Sequence, residues 1–326
     1  MKKIFITGGA GYVGCALSDY LTENGYDVTV YDLFLYGEDV FNYQNKIQCI
    51  KGDIRNEELF EKSIKDQDVV IHLACISNDP SFELNPDLGK SINLNAFEPM
   101  VKICKKNFVK KFIYASSSSV YGVKEINDVH EEIELEPLTD YSKFKAECEK
   151  ILIKYNDKDF CGVTIRPATV CGYSKRQRLD VIVNILSNIG YHKREITVFG
   201  GKQLRPNIHI TDMIRAYKLL IESPNELVGG EIFNAGWENK SVTDIANIVK
   251  RELGDDINVI FSKTDDNRSY HISSKKIKNI LNFHTKFTIE NAVNDLKKAF
   301  EKNLLIDPLN NPNYFNIKKM QKLNLK

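Results

Sequence analysis

The sequence has no long uninterrupted apolar stretch. Its longest apolar segments, such as residues 69–76, reach only the length of a β-strand, and that one contains His72. A membrane-spanning helix needs about 20 apolar residues, so we expect a soluble chain with no membrane partner. Charge of one sign is also lacking, since 45 Lys and Arg balance 44 Asp and Glu. The chain therefore lacks the overall basic charge that is typical of nucleic-acid-binding proteins.

Cysteine is present but shows no pairing pattern. The seven cysteines are an odd number, and no two of them have the Cys-x-x-Cys spacing. The sequence therefore predicts neither a disulfide framework nor a metal site. Reduced cysteines in apolar segments favour a cytoplasmic protein. The length of 326 residues and the hydrophobic content of 42% are those of one large or two associated globular domains.

Short apolar segments alternate with helical patterns in the first half of the chain. The predicted strands are residues 3–7, 27–31, 47–51, 68–74, 111–115 and 163–166. The predicted helices between them are residues 12–24, 57–64, 92–107 and 141–155, with a long loop through Pro80 and Pro86. This alternation, with strands that are apolar almost throughout, predicts an α/β fold with a doubly wound parallel sheet.

The pattern becomes irregular after Pro167, and no proline-rich or serine-rich linker separates the two halves. We predict a sheet domain at residues 1–170, with returning elements near 205–240. Residues 171–326 are then a smaller mixed α/β cap that packs on this domain. The Asn- and Lys-rich tail after Leu305 is expected to lie on the surface or to fray.

A glycine-rich segment follows the first predicted strand directly. Gly8, Gly11 and Gly14 have the spacing Gly-x-x-Gly-x-x-Gly, and a helical pattern begins at Tyr12. Glycines at such a turn let the backbone approach a pyrophosphate, and the helix N-terminus supplies N–H donors and a positive dipole. Because a strand precedes the motif and a helix follows it, we predict a dinucleotide-binding Rossmann loop that includes Val13.

Two aspartates follow the next predicted strands. Asp32 lies about 20 residues beyond the glycines, where a carboxylate accepts the ribose hydroxyls of NAD and repels the 2′-phosphate of NADP. No arginine occurs in residues 33–37, which also favours NAD as the cofactor. The alternative for Asp32 is an ordinary aspartate at the end of a strand. Asp53, which precedes Ile54, is a further candidate for contact with the adenine edge.

Tyr141 and Lys145 lie four residues apart in a helical pattern and therefore on one helix face. A phenol, with a pKa of about 10, is a poor base at neutral pH, but a neighbouring ammonium stabilises the phenolate. The pair is thus a candidate for proton transfer, although Tyr-x-x-x-Lys also occurs by chance.

The serine-rich segment 116–119 directly follows a predicted strand. Doubly wound sheets bind ligands at the carboxyl ends of their strands, so a serine hydroxyl there is a candidate for ligand contact. The alternative is an ordinary serine-rich turn.

Taken together, these segments resemble the extended short-chain dehydrogenase/reductases of the nucleotide-sugar epimerase/dehydratase family. The resemblance spans nearly the whole chain. The residues that carry it are the glycine motif at 7–14, Asp32, Asp53-Ile54, His72-Leu73-Ala74, Ser117 with Val120-Tyr121-Gly122, Tyr141 with Lys145, Arg166-Pro167, and Arg205 with His209-Ile210-Thr211-Asp212. The resemblance implies NAD as the cofactor, a nucleotide-diphosphate sugar as the substrate, and a homodimer formed by helices 92–107 and 141–155.

The resemblance also implies catalytic roles. Tyr141 as a phenolate would remove the proton of a sugar hydroxyl, most often at C4, while hydride passes to the nicotinamide. Lys145 would hold the cofactor ribose and lower the pKa of Tyr141, and Ser117 would hydrogen-bond the reacting oxygen. Leu73 and the backbone of residues 74–77 would border the cofactor, and residues 166–169 would lie beside the nicotinamide.

Substrate contacts are expected from a further set of polar residues. These are Ser117, Ser118, Thr169, Arg178, Arg205 and Arg268. Arg205 and Arg268 match family arginines that contact the pyrophosphate of the sugar nucleotide, and a structural ion pair is the alternative for each. Arg176 lies beside Arg178 in the capping region and is a further candidate for contact with the substrate.

One departure from the family pattern bears on the reaction. The Thr-Asp-Glu segment of the sugar 4,6-dehydratases is Ser117-Ser118-Ser119 here, so the general acid for loss of water is missing. We therefore expect a nucleotide-sugar 4-epimerase. One alternative is a 4-dehydrogenase that releases the keto sugar, for example from a GDP-heptose; the arginine-rich segment after Gly172 is similar to that branch. The other is a nucleotide-sensing protein without catalytic activity.

Overall fold

The computed structural model describes residues 1–77, 79–264 and 269–323. The described strands are β1 (Lys3–Thr7), β2 (Asp27–Asp32), β3 (Gln48–Lys51), β4 (Val69–His72), β5 (Lys111–Ala115), β6 (Cys161–Pro167), β7 (Thr169–Cys171), β8 (Glu195–Phe199), β9 (Leu204–His209), β10 (Ile232–Ala235), β11 (Glu238–Ser241) and β12 (Asn258–Ser262). The described α-helices are α1 (Tyr12–Glu23), α2 (Glu57–Ser63), α3 (Asp79–Glu83), α4 (Pro86–Lys90), α5 (Phe97–Lys106), α6 (Asp140–Tyr155), α7 (Ile182–Lys193), α8 (Ile210–Glu222), α9 (Asn225–Val228), α10 (Val242–Leu253), α11 (Lys275–Leu281), α12 (Ile289–Glu301) and α13 (Asn316–Leu323).

Seven of these strands form the central sheet, in the order β10-β6-β5-β4-β1-β2-β3, and every pair in it is parallel. The chain first builds outward from β1 to β3 and then returns to place β4 on the other side of β1. The strand order therefore reverses between β1 and β4, which is the point where open parallel sheets bind ligands. The predicted α/β fold with a doubly wound parallel sheet is confirmed.

The sheet is covered on both faces because its strands carry apolar side chains in both directions. Ile4 and Ile6 of β1 pack in a cluster with Leu17 of α1 and Leu220 of α8. Phe5, between them, points to the other face and packs with residues of α5 and α6. Since successive side chains of a strand alternate between faces, the continuous apolar segment at the start of the sequence requires helices on both sides.

The second half of the chain adds two small sheets and returns one strand to the central sheet. Strands β11, β9 and β7 form one small sheet, and β12 pairs with β8 in the other. A separate apolar cluster joins β8 to α7, α10 and α12. Strand β10 lies beside β6 at the edge of the central sheet.

The long loop predicted through Pro80 and Pro86 is wrong in part, because two short helices, α3 and α4, lie there. Pro86 occupies the first turn of α4, where its missing N–H costs nothing, and the Asn85 side chain accepts a hydrogen bond from the Leu88 N–H at 3.1 Å. Proline therefore begins a helix here instead of preventing one. A π-helical turn at Ser91–Asn95 then leads into α5.

The tail after Leu305 wraps on the surface of the rest of the chain, which is one of the two expectations for it, and its described residues are mostly exposed or half-buried. Leu305 packs in an apolar cluster with Leu179 and Phe300, against which Tyr314 and Phe315 are placed. The Leu179 N–H donates to the Tyr314 carbonyl at 2.8 Å. Aromatic side chains in the tail supply the apolar area that fixes it to the rest of the chain.

No helix in residues 1–77, 79–264 or 269–323 has the length and apolar character to cross a membrane.

Candidate active site

A cavity of about 300 Å³ lies at the carboxyl ends of the central strands, where the strand order reverses. Its wall includes most of the residues that the sequence predicts for a site. They are Gly8, Gly11, Tyr12, Val13, Gly14, Asp32, Asp53, Ile54, Leu73, Ala74, Tyr141, Lys145 and Arg178. Residues from six separate segments of the sequence thus meet at one cavity.

The glycine-rich loop forms a cradle at the floor of this cavity. Gly8 has a positive φ of 71°, and a Cβ there would lie 2.5 Å from the Ala74 backbone nitrogen. A Cβ on Gly14 would collide with the Gly8 carbonyl. Only glycine fits at these two positions, so the backbone stays open at the N-terminus of α1, where N–H groups and the helix dipole favour a phosphate. The cradle fits the pyrophosphate of a dinucleotide.

Asp32 lies at the end of β2 with its carboxylate fixed by backbone donors. Its two oxygens accept from the Ala10 N–H at 3.0 Å and the Phe34 N–H at 2.8 Å. Burial raises the pKa of Asp32, and these hydrogen bonds oppose the rise. A fixed carboxylate beside the glycine cradle fits an acceptor of ribose hydroxyls. Asp53 also borders the cavity, but its carboxylate is paired with Arg55 at 2.6 Å.

Tyr141 and Lys145 lie in the first turns of α6, whose N-terminus is capped by Thr139. The Thr139 hydroxyl accepts from the Ser142 N–H, and the Ser142 hydroxyl accepts from the Thr139 N–H at 3.1 Å. This capping box fixes where the helix begins and so directs both side chains into the cavity. The Lys145 ammonium donates to the Ala115 carbonyl at 2.7 Å and lies 5.8 Å from the centre of the Tyr141 ring.

The surroundings of Tyr141 both raise and lower the pKa of its phenol. Burial raises the pKa of Tyr141 well above its ordinary value, and Cys75 and Asp79 add to the rise. The charge of Arg178 and a hydrogen bond with the Ser117 side chain lower the same pKa. Arg178, which was expected only as a substrate contact, therefore also acts on the Tyr141 phenol.

The hydroxyls of the serine-rich segment 116–119 have different partners. Ser116 borders the cavity, but its hydroxyl donates to the Glu149 carboxylate. Ser118 is buried in a short 3-10 helix and is not on the cavity wall. The Ser117 hydroxyl lies 2.8 Å from the Ser119 hydroxyl and is also a partner of Tyr141. Ser117 is therefore the hydroxyl in contact with the phenol, although it does not line the cavity itself.

A buried ion pair between Arg166 and Glu149 connects the elements that carry the site residues. Arg166 and Glu149 have side chains only 3% exposed, and the guanidinium donates to both carboxylate oxygens, at 2.9 and 2.7 Å. The same guanidinium donates to the Tyr121 hydroxyl at 2.7 Å, which donates to the Asn234 side chain at 2.8 Å. This network ties α6 to β6 and β10 and holds the Ser116 hydroxyl away from the cavity.

The residues predicted to bind substrate are not all gathered at the cavity. Thr169 lies in β7 and Arg205 in β9, and neither is on the wall. The Arg205 guanidinium lies over the Tyr270 ring, 5.4 Å from the ring centre. Tyr270 borders a small second cavity together with Ser119. Arg268 lies outside the described residues.

Several residues on the cavity wall were missed by the sequence argument, among them Tyr36, Asn316 and Met320. Tyr36 lies in the segment after Asp32 that was inspected only for arginine. Asn316 and Met320 come from α13 and belong to no motif, and nothing in the sequence signals that the tail reaches this cavity. Ser77, the last residue of the segment expected to border the cofactor, is on the wall. In the part of the chain that the structure describes, no group of three or more His, Cys, Asp or Glu side chains is arranged to hold a metal ion.

Comparison with known proteins gives matches over most of the chain. Residues 4–236 match the model of a family described as the NAD dependent epimerase/dehydratase family. A protein of Methanocaldococcus jannaschii, to which a UDP-glucose 4-epimerase function is attributed, is 29% identical over 276 residues, which are 82% of this chain and 88% of that protein. UDP-glucuronic acid decarboxylase 1 of Xenopus tropicalis is 25% identical over 93% of this chain and 73% of its own length.

Solved structures have the same fold. The UDP-glucose 4-epimerase of Thermotoga maritima with UDP-glucose has a TM-score of 0.82 and 24% identity, over 93% of this chain and 100% of that one. The dTDP-glucose 4,6-dehydratase of Bacillus anthracis in complex with NAD has a TM-score of 0.80 and 22% identity, over 93% of this chain and 97% of that one.

Proposed function

The chain belongs to the NAD-dependent epimerase/dehydratase family, and from this membership we propose that it is a nucleotide-sugar 4-epimerase. NAD is its cofactor and supplies, when bound, the acceptor and then the donor of a hydride. The observation that carries the proposal is one cavity that joins the glycine cradle and Asp32 to Tyr141, whose phenol contacts the Ser117 hydroxyl. In the proposed reaction the C4 hydroxyl of the sugar is oxidised, and the resulting ketone is reduced on its other face.

Tyr141 is the proposed base. Its oxygen takes the proton of the sugar hydroxyl during oxidation and returns it during reduction, so no net proton is consumed. Burial raises the pKa of Tyr141 and opposes this role, whereas Arg178 lowers the pKa. Lys145, whose ammonium lies 5.8 Å from the Tyr141 ring, adds a second positive charge. The two cations are proposed to stabilise the phenolate together.

Ser117 is proposed to hydrogen-bond the reacting oxygen. Its neighbour Ser116 is unsuited to that role because its hydroxyl is engaged by Glu149. The Ser119 N–H donates to the Ser117 hydroxyl oxygen at 3.1 Å and so fixes its orientation. A fixed hydroxyl in contact with Tyr141 is suited to hold the C4 oxygen where the phenol exchanges a proton with it.

Dehydration is disfavoured by the absence of a carboxylate in residues 117–119. One carboxylate from another element, Asp79, does border the small second cavity with Ser119. It accepts a hydrogen bond from the Thr139 hydroxyl at the start of α6. We propose that Asp79 stabilises the N-terminus of α6 and is not a general acid for dehydration. Because a carboxylate does lie beside Ser119, the product analysis also tests for loss of water.

Two further parts of the proposal concern organisation. Residues 1–170 are proposed as the NAD-binding domain, since they contribute the glycine cradle and Asp32, and residues 171–326 as the region that contacts the sugar nucleotide, since they contribute Arg178 to the cavity wall. The protein is also proposed to form a homodimer through α5 and α6. Light scattering on the purified protein measures its mass and tests the dimer directly.

The experiment that tests the proposed reaction is a substrate panel. The purified protein is incubated with UDP-, dTDP-, GDP- and CDP-sugars, and products are identified by NMR and mass spectrometry while cofactor absorbance is followed. A C4 epimer of unchanged mass, with no net reduction of cofactor, is the expected result. Accumulation of reduced cofactor would instead show a 4-dehydrogenase, and loss of water would show a dehydratase.

A matched pair of variants tests the base. Tyr141→Phe removes the phenol and is expected to lower turnover by at least about 100-fold. Tyr155→Phe, in the same helix, removes a hydroxyl that contacts Glu98 far from the cavity wall, and it should leave turnover unchanged. Full activity of Tyr141→Phe would refute Tyr141 as the base. Absence of turnover with every sugar nucleotide would favour a nucleotide-sensing protein.

A further inference from the structure

A buried arginine borders the cavity without a carboxylate partner. Arg176 is only 5% exposed and lies on the cavity wall. Its Nη2 donates to the Asn316 side chain at 2.9 Å, whereas its Nε has no hydrogen-bond partner among the described residues. Its neighbour Arg178, by contrast, is paired with Asp180 at 2.6 Å. A buried donor on a cationic group that lacks a partner is costly, so an anionic ligand is expected there.

Contacts on several sides hold this arginine in one position. The Arg176 guanidinium lies 3.5 Å from the centre of the Tyr36 ring, on which it stacks. The Tyr36 hydroxyl donates to the Asn316 side-chain oxygen at 3.0 Å, and the Asn316 amide donates to the Ser77 hydroxyl at 2.8 Å. The guanidinium is therefore ordered before a ligand arrives, which reduces the entropy that binding costs.

Two neighbours locate the guanidinium within the cavity. Its charge acts on Tyr12, the first residue of α1, and on Asp32 at the end of β2. Arg176 thus lies near both the helix N-terminus that faces a phosphate and the carboxylate that faces a ribose. In a bound dinucleotide the pyrophosphate lies at the helix N-terminus and is joined to the ribose that the carboxylate binds.

We propose that Arg176, which lies on the cavity wall, binds the pyrophosphate of NAD through its guanidinium and that Asn316 positions it. The glycine cradle supplies backbone N–H donors and no formal charge. Arg176 adds a formal positive charge opposite the two negative charges of the pyrophosphate, in a site where burial strengthens the interaction. The tail of the chain is thereby part of the cofactor site, and Arg176 serves the cofactor and not the sugar nucleotide.

Calorimetric titration of the full-length protein tests this assignment with three ligands. Arg176→Gln removes the charge and is expected to weaken binding of NAD and of ADP by about 10- to 100-fold. Adenosine, which has no phosphate, should bind the variant and the wild type alike when measured by displacement. Arg251→Gln removes an exposed arginine of α10 and is the matched control, with unchanged affinity for all three ligands.

Three binding results would overturn the assignment of Arg176 to the pyrophosphate. Equal affinity of Arg176→Gln and wild type for ADP overturns the proposal. A parallel loss of ADP and adenosine binding also overturns it, because the arginine would then act on the shape of the adenosine site. A loss of affinity confined to NADP would place the guanidinium at the ribose 2′ position and overturn the pyrophosphate assignment.

Two variants complete the test. Arg176→Lys keeps the charge but loses the planar donor set, and an intermediate affinity for ADP is expected. Asn316→Ala leaves Arg176 in place without its side-chain acceptor, and a smaller loss of ADP affinity is expected, again without effect on adenosine. An Asn316→Ala protein that binds ADP as tightly as the wild type would refute the positioning role of Asn316.

Discussion

The buried histidine beneath the cavity makes the stability of the protein depend on pH in a way that can be measured. His72 in β4 is 3% exposed, and its Nδ1 lies 2.7 Å from the Thr7 hydroxyl. Burial, together with the charge of Lys145, lowers the pKa of His72 to about 3. The aromatic rings around it, Phe97, Phe112 and Tyr114, offer no carboxylate to stabilise an imidazolium.

The sign of the effect follows from proton binding. In the unfolded chain a histidine has a pKa of about 6.5, so between about pH 6.5 and about pH 3 the unfolded state holds a proton that folded His72 does not. The contribution of His72 to stability is therefore present above about pH 6.5 and is lost progressively as pH falls. Between about pH 7 and about pH 4.5 the loss amounts to about 2.5 kcal/mol.

The variant His72→Asn isolates this contribution. Asparagine keeps a polar group opposite the Thr7 hydroxyl but does not titrate, so other groups cancel in the comparison with wild type. Urea unfolding at several pH values should show the free-energy difference between the two proteins changing by about 2.5 kcal/mol from about pH 7 to about pH 4.5. His284→Asn changes an exposed histidine and serves as the control. A difference that stays constant across pH would refute the reasoning.

Three other variants test the site and its support. Arg178→Gln removes a charge that lowers the pKa of Tyr141, so the acidic limb of the pH–rate profile should move to higher pH and activity should fall most at neutral pH. Arg166→Met leaves the Glu149 carboxylate buried without its ion pair and should lower the unfolding free energy by about 3–5 kcal/mol in urea, most of which Glu149→Leu in the same chain should restore. Asp32→Ala should weaken the preference for NAD over NADP in binding titrations; a wild-type protein that already prefers NADP would contradict the role of Asp32.

The elements that the sequence predicts best are the buried strands of the central sheet. Strands β1 and β5 occupy residues 3–7 and 111–115 as predicted, because apolar segments of that length bounded by turns have few other ways to bury both faces. Helices α3 and α4 were missed because proline was taken as a sign of a loop. Their stability depends on capping by Asn85 and on packing of Phe82, which pattern alone does not show.

The spacing of residues in the sequence predicts which side chains reach the cavity, but it does not predict which hydrogen bonds those side chains make. Lys145 was predicted from its distance of four residues to Tyr141, and both residues do lie on one wall of the cavity. In the folded chain the ammonium donates to the Ala115 carbonyl, and a second cation, Arg178, also acts on the phenol. Similarly, only the family resemblance separates Ser117 from Ser116 in the sequence; in the structure the Ser116 hydroxyl donates to Glu149 of α6.

The same distinction bears on how the cofactor is recognised. The absence of arginine from residues 33–37 excludes only a nearby partner for the 2′-phosphate of NADP, and the charge of Arg176 acts on Asp32 from a segment far along the chain. Its side-chain acceptor, Asn316, lies beyond residues 4–236, the part of the chain that matches the family. Cofactor affinity therefore depends on a contact between two segments that the dinucleotide-binding motif does not include. Because such a contact can change without altering the glycine cradle, relatives that share the motif need not hold NAD equally tightly.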